Sequence, residues 1–201
     1  MKEILNDEVA YLLGALRDAT ADVRKGKNYE IKIAQKESSW LRFLQNIFKK
    51  NFDISGNITQ HVNGTEILRI SGKDTVNTIL KISEMKIPQE LWNTPSIIKR
   101  QPIGLQLHYL RGFFDAEGGI PHNSGRFYIQ LVQKNLPKIE LIKELLIELG
   151  IKSGRIHNPS KRVDPDYWRI FILADSYKKF ADLIGSLHPI KSDIFRKRVM
   201  I

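Results

Sequence analysis

Tyr109-Leu110-Arg111-Gly112-Phe113-Phe114-Asp115-Ala116-Glu117-Gly118 decides the fold, because an earlier stretch echoes it: Tyr11-Leu12-Leu13-Gly14 matches Tyr109-Leu110-Arg111-Gly112 at an offset of 98 residues. A second pair of segments keeps that offset, Tyr29-Glu30-Ile31-Lys32-Ile33-Ala34-Gln35-Lys36 against Phe127-Tyr128-Ile129-Gln130-Leu131-Val132-Gln133-Lys134. Two separate matches at one offset mark a duplicated unit of about half the chain.

Periodicity reads the unit out. Val9, Leu12, Leu13 and Leu16, and in the second copy Leu107, Leu110, Phe113 and Phe114, recur at helical spacing and predict an amphipathic helix opening each repeat. Tyr29, Ile31 and Ile33 alternate with polar neighbours as a half-buried strand, matched by Phe127, Ile129 and Leu131, with Gly26 and Gly125 as the preceding turns. Trp40, Leu41, Leu44, Ile47 and Phe48 predict a second helix, matched by Ile139, Ile142, Leu145, Leu146 and Leu149 between Pro137 and Gly150. Asn63-Gly64 signals a hairpin between 58–62 and 65–71. The second repeat joins Arg155–His157 to Tyr167–Leu173 through a longer loop, and helices from Asp74 and from Asp175 close the two repeats. The expectation is an α+β protein of two tandem αββαββα lobes with antiparallel sheets, over residues 1–87 and 107–201. Pro88, Pro95 and Pro102 mark 88–106 as a linker.

The 201 residues carry 32 Lys+Arg against 22 Asp+Glu, a net charge of +10. Both halves are basic, as expected of a folded partner for nucleic acid. The absence of cysteine excludes disulfide scaffolds, zinc ribbons and thiol catalysis. No apolar run approaches the ~20 residues that span a bilayer, and acids stand near the N-terminus where a signal peptide needs bases, so an intracellular protein without a membrane partner is expected.

The chemistry gathers at the ends of the opening helices, in Arg17-Asp18-Ala19-Thr20 and Asp115-Ala116-Glu117-Gly118. A carboxylate at a helix C-terminus meets the negative end of the macrodipole, so a cation should compensate it. If the helices pack side by side through Gly14 and Gly112, the acids converge as hard oxygen ligands suited to Mg²⁺ or Mn²⁺. The alternative is glycines used only for packing and acids that are solvated caps. Lys36 and Lys134 share strand parity with Lys32 and Gln130, on the face opposite the apolar rows. That face, with Tyr128, and the hairpin residues Arg24, Lys25, Lys27 and Arg126, are candidates for contact with bases or phosphates. Arg69 and Arg169 lie in the last strands, and Lys161 and Arg162 in the long loop, where phosphate contacts are expected. His108, His122, His157 and His188 lack metal-ligand spacing, and Trp40, Trp92 and Trp168 suit a core.

The stretch from Tyr109 to Gly118 closely resembles the signature helix of the LAGLIDADG homing endonucleases, and Ala34-Gln35-Lys36 and Val132-Gln133-Lys134-Asn135 resemble the strand-end motif that follows it. The resemblance implies a monomeric, pseudo-two-fold enzyme, intron-encoded, whose sheets form a saddle over double-stranded DNA. It implies metal ligation by Glu117 and by one acid of the first helix, glutamines Gln35 and Gln133 near metal-bound waters, and lysines Lys36 and Lys134 near the cleaved phosphates. The expected reaction is metal-dependent double-strand cleavage at a long, non-palindromic site. An intron RNA maturase, which would bind its host intron RNA, and a catalytically degenerate DNA-binding protein are the alternatives of the same fold. The first copy departs from the pattern: at the 98-residue offset Glu117 aligns with Ala19, and Asp18 falls opposite Ala116. Either a local irregularity at the helix end returns Asp18 to the metal, or that half-site is degenerate; Asp18 is the favoured ligand.

Overall fold

The structure, a computed structural model, describes residues 5–24, 28–85, 94–134 and 136–199. The first helix, α1 (Asp7–Ala15), is capped by Asn6, whose side chain accepts the Val9 N–H at 3.0 Å, with Asp7 and Glu8 in the first turn where the helix dipole favours acids. It runs into a 3₁₀ turn over Leu16–Asp18. Strands β1 (Thr20–Arg24) and β2 (Asn28–Gln35) follow, then α2 (Ser38–Phe52), β3 (Asn57–Gln60), β4 (Glu66–Ser71) and α3 (Lys73–Ser83). The strands form one antiparallel sheet in the order β1-β2-β4-β3. The Asn63-Gly64 turn joins β3 to β4 with both residues at positive φ, 70° and 72°, which these residue types accept at least cost.

The second repeat is thinner than its sequence suggests. After a short α4 (Ser96–Lys99), α5 (Ile103–Glu117) starts inside the proline-marked stretch 88–106. Strands β5 (Gly118–Gly119), β6 (Gln130–Lys134) and β7 (Tyr167–Phe171) form a three-stranded antiparallel sheet, with α6 (Leu136–Glu148) and α7 (Tyr177–Leu183) against it. Phe127 and Ile129 face the core as their alternation predicts, but regular pairing begins only at Gln130. The strand expected over Arg155–His157 reduces to two isolated bridges, Ser153 with Ile172 and His157 with Arg169. Gly154 and Pro159 flank that segment, and neither residue supports a continuous ladder. A last helix, α8 (Pro189–Arg198), has no counterpart in the expected unit. Pro88, Trp92, Gly26, Lys25, Lys27 and Asn135 lie outside the described residues.

Two hydrophobic clusters meet at α1. Val9, Ala10 and Leu13 join the core of the second repeat, with Tyr109, Phe113 and Phe114 of α5, while Tyr11, Leu12, Ala15 and Leu16 join the core of the first, with Trp40, Ile31 and Ile33. From Val9 to Ala15 the helix expected to be amphipathic is therefore buried on every side, as a helix apolar all round must be. A Cβ on Gly14 would collide with the backbone of Tyr109 and Phe113, and one on Gly112 with that of Tyr11 and Ala15. This reciprocal contact brings the two helix ends together.

Candidate active site

Asp18 and Glu117 stand where α1 and α5 end. A 3₁₀ turn advances ~120° per residue against ~100° in an α-helix. Three residues of it recover roughly 60° of the ~100° lost to the one-residue slip, while α5 stays α-helical to Glu117. The irregular helix end left open by the sequence is therefore present.

Two glutamines complete the symmetry. Gln35 Nε2 donates to Asp18 Oδ2 at 3.0 Å, and Gln133 Nε2 donates to Glu117 Oε1 at 3.2 Å. Gln35 and Gln133 continue the inward rows of Ile31/Ile33 and Ile129/Leu131, so strand parity alone marks Lys36 and Lys134, not the glutamines, as residues of the open face. That inward parity is what aims them at the helix ends, and Gln133 is buried. Lys36 and Lys134 point the other way and are exposed.

Charge is crowded here. Burial, and then the neighbouring charge of Asp18, push the Glu117 carboxyl up to about 8 against the opposing pull of Gln133, Lys138 and Lys191. Burial also pushes Asp18 up, to about 6, although its residue opens to the cleft and solvent screens it on that side. Neighbouring like-charged carboxylates, each accepting from its own amide donor, fit a hard divalent cation, which would relieve their repulsion. Among the described residues no group of three or more acids, histidines or cysteines forms a cage, so this pair leaves coordination positions for water and substrate oxygens. A cleft of about 410 Å³ opens beside the pair, lined by Arg17, Asp18, Glu117, Val132, Gln133, Lys134, Lys138 and Tyr167.

The cation demanded by the end of α5 is Lys191. Its ammonium donates to the carbonyls of Phe114, Asp115 and Gly118 at 2.7–2.8 Å. Burial draws it down to about 8, while Asp115, Glu117 and Asp18 favour its charge. Asp115 is buried and pushed up by that burial, and it accepts from Tyr11 Oη at 2.6 Å, from the Leu187 and His188 amides at 2.8 and 3.1 Å, and from Ser186. Trp40 Nε1 donates in turn to Tyr11 Oη at 2.7 Å. Lys191, Lys138 and the Tyr11–Asp115 bond were missed from sequence; the misplaced carboxylates were the one signal that a cation was owed.

On the first sheet Lys32 and Arg69, opposite each other in register, share Glu30 at 2.9 and 3.3 Å, and Arg24 pairs with Asp22 at 3.2 Å. On the second sheet Arg169 stands opposite Val132 and lies over the rings of Tyr167 and Phe171 at 5.7 and 5.6 Å, while Gln130 stands opposite Phe171. Tyr128 meets Phe171 edge-on at 5.9 Å. Arg126, Lys161 and Arg162 are exposed. The turn carrying Lys161 and Arg162 is braced by Asn158, which donates to the Asp164 and Pro165 carbonyls at 2.9 and 2.8 Å, and Asp164 pairs with Lys134 at 3.1 Å. No helix among the described residues is long and apolar enough to cross a membrane.

This arrangement, two glycine-packed helices ending in an acid pair between antiparallel sheets, has counterparts among known proteins. Residues 104–185 match the model of the LAGLIDADG-like domain. The homing endonuclease I-ApeI of Aeropyrum pernix is 30% identical over 194 residues, covering 90% of this chain and 82% of that protein. The structure of I-DmoI in complex with DNA and Mn superposes with a TM-score of 0.69 over 90% of this chain and 98% of that one, at 20% identity. The homing endonuclease I-WcaI bound to its DNA recognition sequence gives 0.65 over 96% and 88%, at 15% identity. The chain belongs to the LAGLIDADG homing endonuclease family.

Proposed function

We propose that this chain is a site-specific DNA endonuclease that makes a metal-dependent double-strand break. The observation that carries the reading is the acid pair Asp18 and Glu117, delivered by the ends of two helices and each held by the glutamine at the same repeat position. A resident Mg²⁺ or Mn²⁺ held by these carboxylates would supply Lewis-acid activation of a water and of the scissile phosphate. The chain's own groups do the rest. Gln35 and Gln133 hold the carboxylates in place and can orient water near them. Lys36 and Lys134 oppose the charge that develops on the phosphates. For Lys134 this means exchanging Asp164 for a phosphate oxygen when DNA enters.

Residues 1–87 and 107–201 would act as two lobes of a monomer joined by 88–106. Their sheet faces differ, with Lys32, Arg69 and Arg24 on one and Tyr128, Gln130 and Arg169 on the other, which suits a long, non-palindromic site. Arg126, Lys161 and Arg162 would contact phosphates at the flanks, with Lys25 and Lys27 assigned there from sequence.

The test is cleavage of a plasmid carrying the host gene without its insertion, in Mg²⁺ and in Mn²⁺. A single linear product that vanishes in excess EDTA is expected. Specific DNA binding without cutting in either metal would assign the chain to the degenerate DNA-binding class, and selective binding of the intron transcript to the maturases.

A further inference from the structure

The three basic residues ending α8, Arg196, Lys197 and Arg198, each have a partner within the chain. Arg196 and Lys197 pair with Asp193 at 2.6 and 2.5 Å, and Arg198 donates to the carbonyls of Asn123 and Gly125 at 2.8 and 2.7 Å while lying 5.0 Å over the Phe127 ring. At the other end of the helix Asp115 grips the Leu187 and His188 amides. The helix is thus tied at both ends to the second repeat, and it places Lys191 behind the corner from which Glu117 projects.

We propose that Lys191 is a positioning residue for the metal site, acting through the backbone on which Glu117 is mounted; this rests on the metal-dependent reading above. Helix α5 ends at Glu117 and the chain turns extended at Gly118 (φ −83°, ψ 144°). Phe114 O also accepts the Gly118 N–H, but the carbonyls beyond it in the last turn have no intrahelical donor, and a corner left unsatisfied is free to fray. The Lys191 ammonium has three donors, and three carbonyls spanning the corner, Phe114, Asp115 and Gly118, receive them. Its position 5.0 Å from the Phe114 ring centroid adds a cation–π contact. In the first repeat the helix end receives a different cation, Arg17 Nε donating to Leu13 O at 3.2 Å, beside the backbone bond from Ala19 N–H to Leu16 O at 3.1 Å. Lys191 serves the corner that carries Glu117. Groups that orient metal ligands from behind typically change metal affinity or activity ~10–100-fold when removed.

The chain has no cysteine, so Lys191→Cys creates a unique thiol. Alkylated in denaturant and refolded, it can carry an aminoethyl group that rebuilds the ammonium or a neutral ethyl group that does not. Two readouts apply: Mn²⁺ affinity from the electron paramagnetic resonance signal of free Mn²⁺, and the Mg²⁺ concentration for half-maximal cleavage. Lys191→Cys and its ethyl form should weaken both ~10–100-fold, with DNA affinity in Ca²⁺ unchanged within ~3-fold, and the aminoethyl form should recover both. If the thiol variant does not fold, Lys191→Met, uncharged and of similar length, is compared directly with wild type and should show the same ~10–100-fold weakening of Mn²⁺ affinity. Equal recovery by the ethyl form, or wild-type metal affinity in Lys191→Cys, would overturn the proposal. A wild-type chain that binds Mn²⁺ and cuts no DNA would overturn the nuclease reading and leave the Mn²⁺ comparison to judge Lys191.

Discussion

Asp18 and Glu117 hold equivalent places although they stand one residue out of step with the 98-residue repeat, for each accepts an amide hydrogen bond from the glutamine at the same repeat position, Gln35 at 3.0 Å and Gln133 at 3.2 Å. Duplex DNA presents two scissile phosphates, and a pair of acids that kept the slip would serve them unequally. The 3₁₀ turn at Leu16–Asp18 offsets most of it.

Tyr11 links the cores through Asp115 and Trp40. Tyr11→Phe removes the donor to one and the acceptor of the other, both buried, and should cost about 2–4 kcal/mol in urea unfolding. A loss below ~0.5 kcal/mol would show that neither partner depends on the hydroxyl.

Lys161 and Arg162 stand exposed on the turn braced by Asn158. Replacing both with Ala should weaken binding to all sequences and lower the slope of log K against log salt by about 2, as expected for two phosphate contacts. A changed preference at one base pair with an unaltered slope would assign them to base reading.

The His188 ring lies tilted against Trp40, 5.6 Å between centroids, at the start of α8, near Lys191, Glu37 and His122. Burial, then repulsion from Lys191, draw it down to about 4, below the ~6.5 of an unfolded histidine. Between those values the unfolded chain binds a proton that the folded chain refuses, so this stability is complete above pH ~6.5 and is lost as pH falls toward ~4. Melting curves from pH 7 to 4 should show wild type losing stability relative to His188→Phe across that window; parallel curves would contradict the assignment.

Much of this was legible in the sequence because duplication repeats its own evidence. The shared offset located both signature helices, both strand-end glutamines and both lysines. The 3₁₀ turn left only a misaligned acid to announce it. Helix α8 escaped because just Phe195 and the Lys191 side chain are buried along it, too few for an apolar stripe. The second sheet was over-read because Phe127 and Ile129 alternate like a strand and bury like one, yet pair regularly only from Gln130 onward.

The most direct measurement is single-turnover cleavage by Asp18→Asn beside Glu117→Gln, on the same target in Mg²⁺, with DNA affinity measured in Ca²⁺. Each change removes a charge from the shared site and leaves the sheets intact, so each should slow double-strand cleavage at least ~100-fold while affinity stays within ~3-fold. Double-strand cleavage within ~3-fold of wild type in Asp18→Asn, with Glu117→Gln inactive, would contradict the two-acid site and leave Glu117 to act alone.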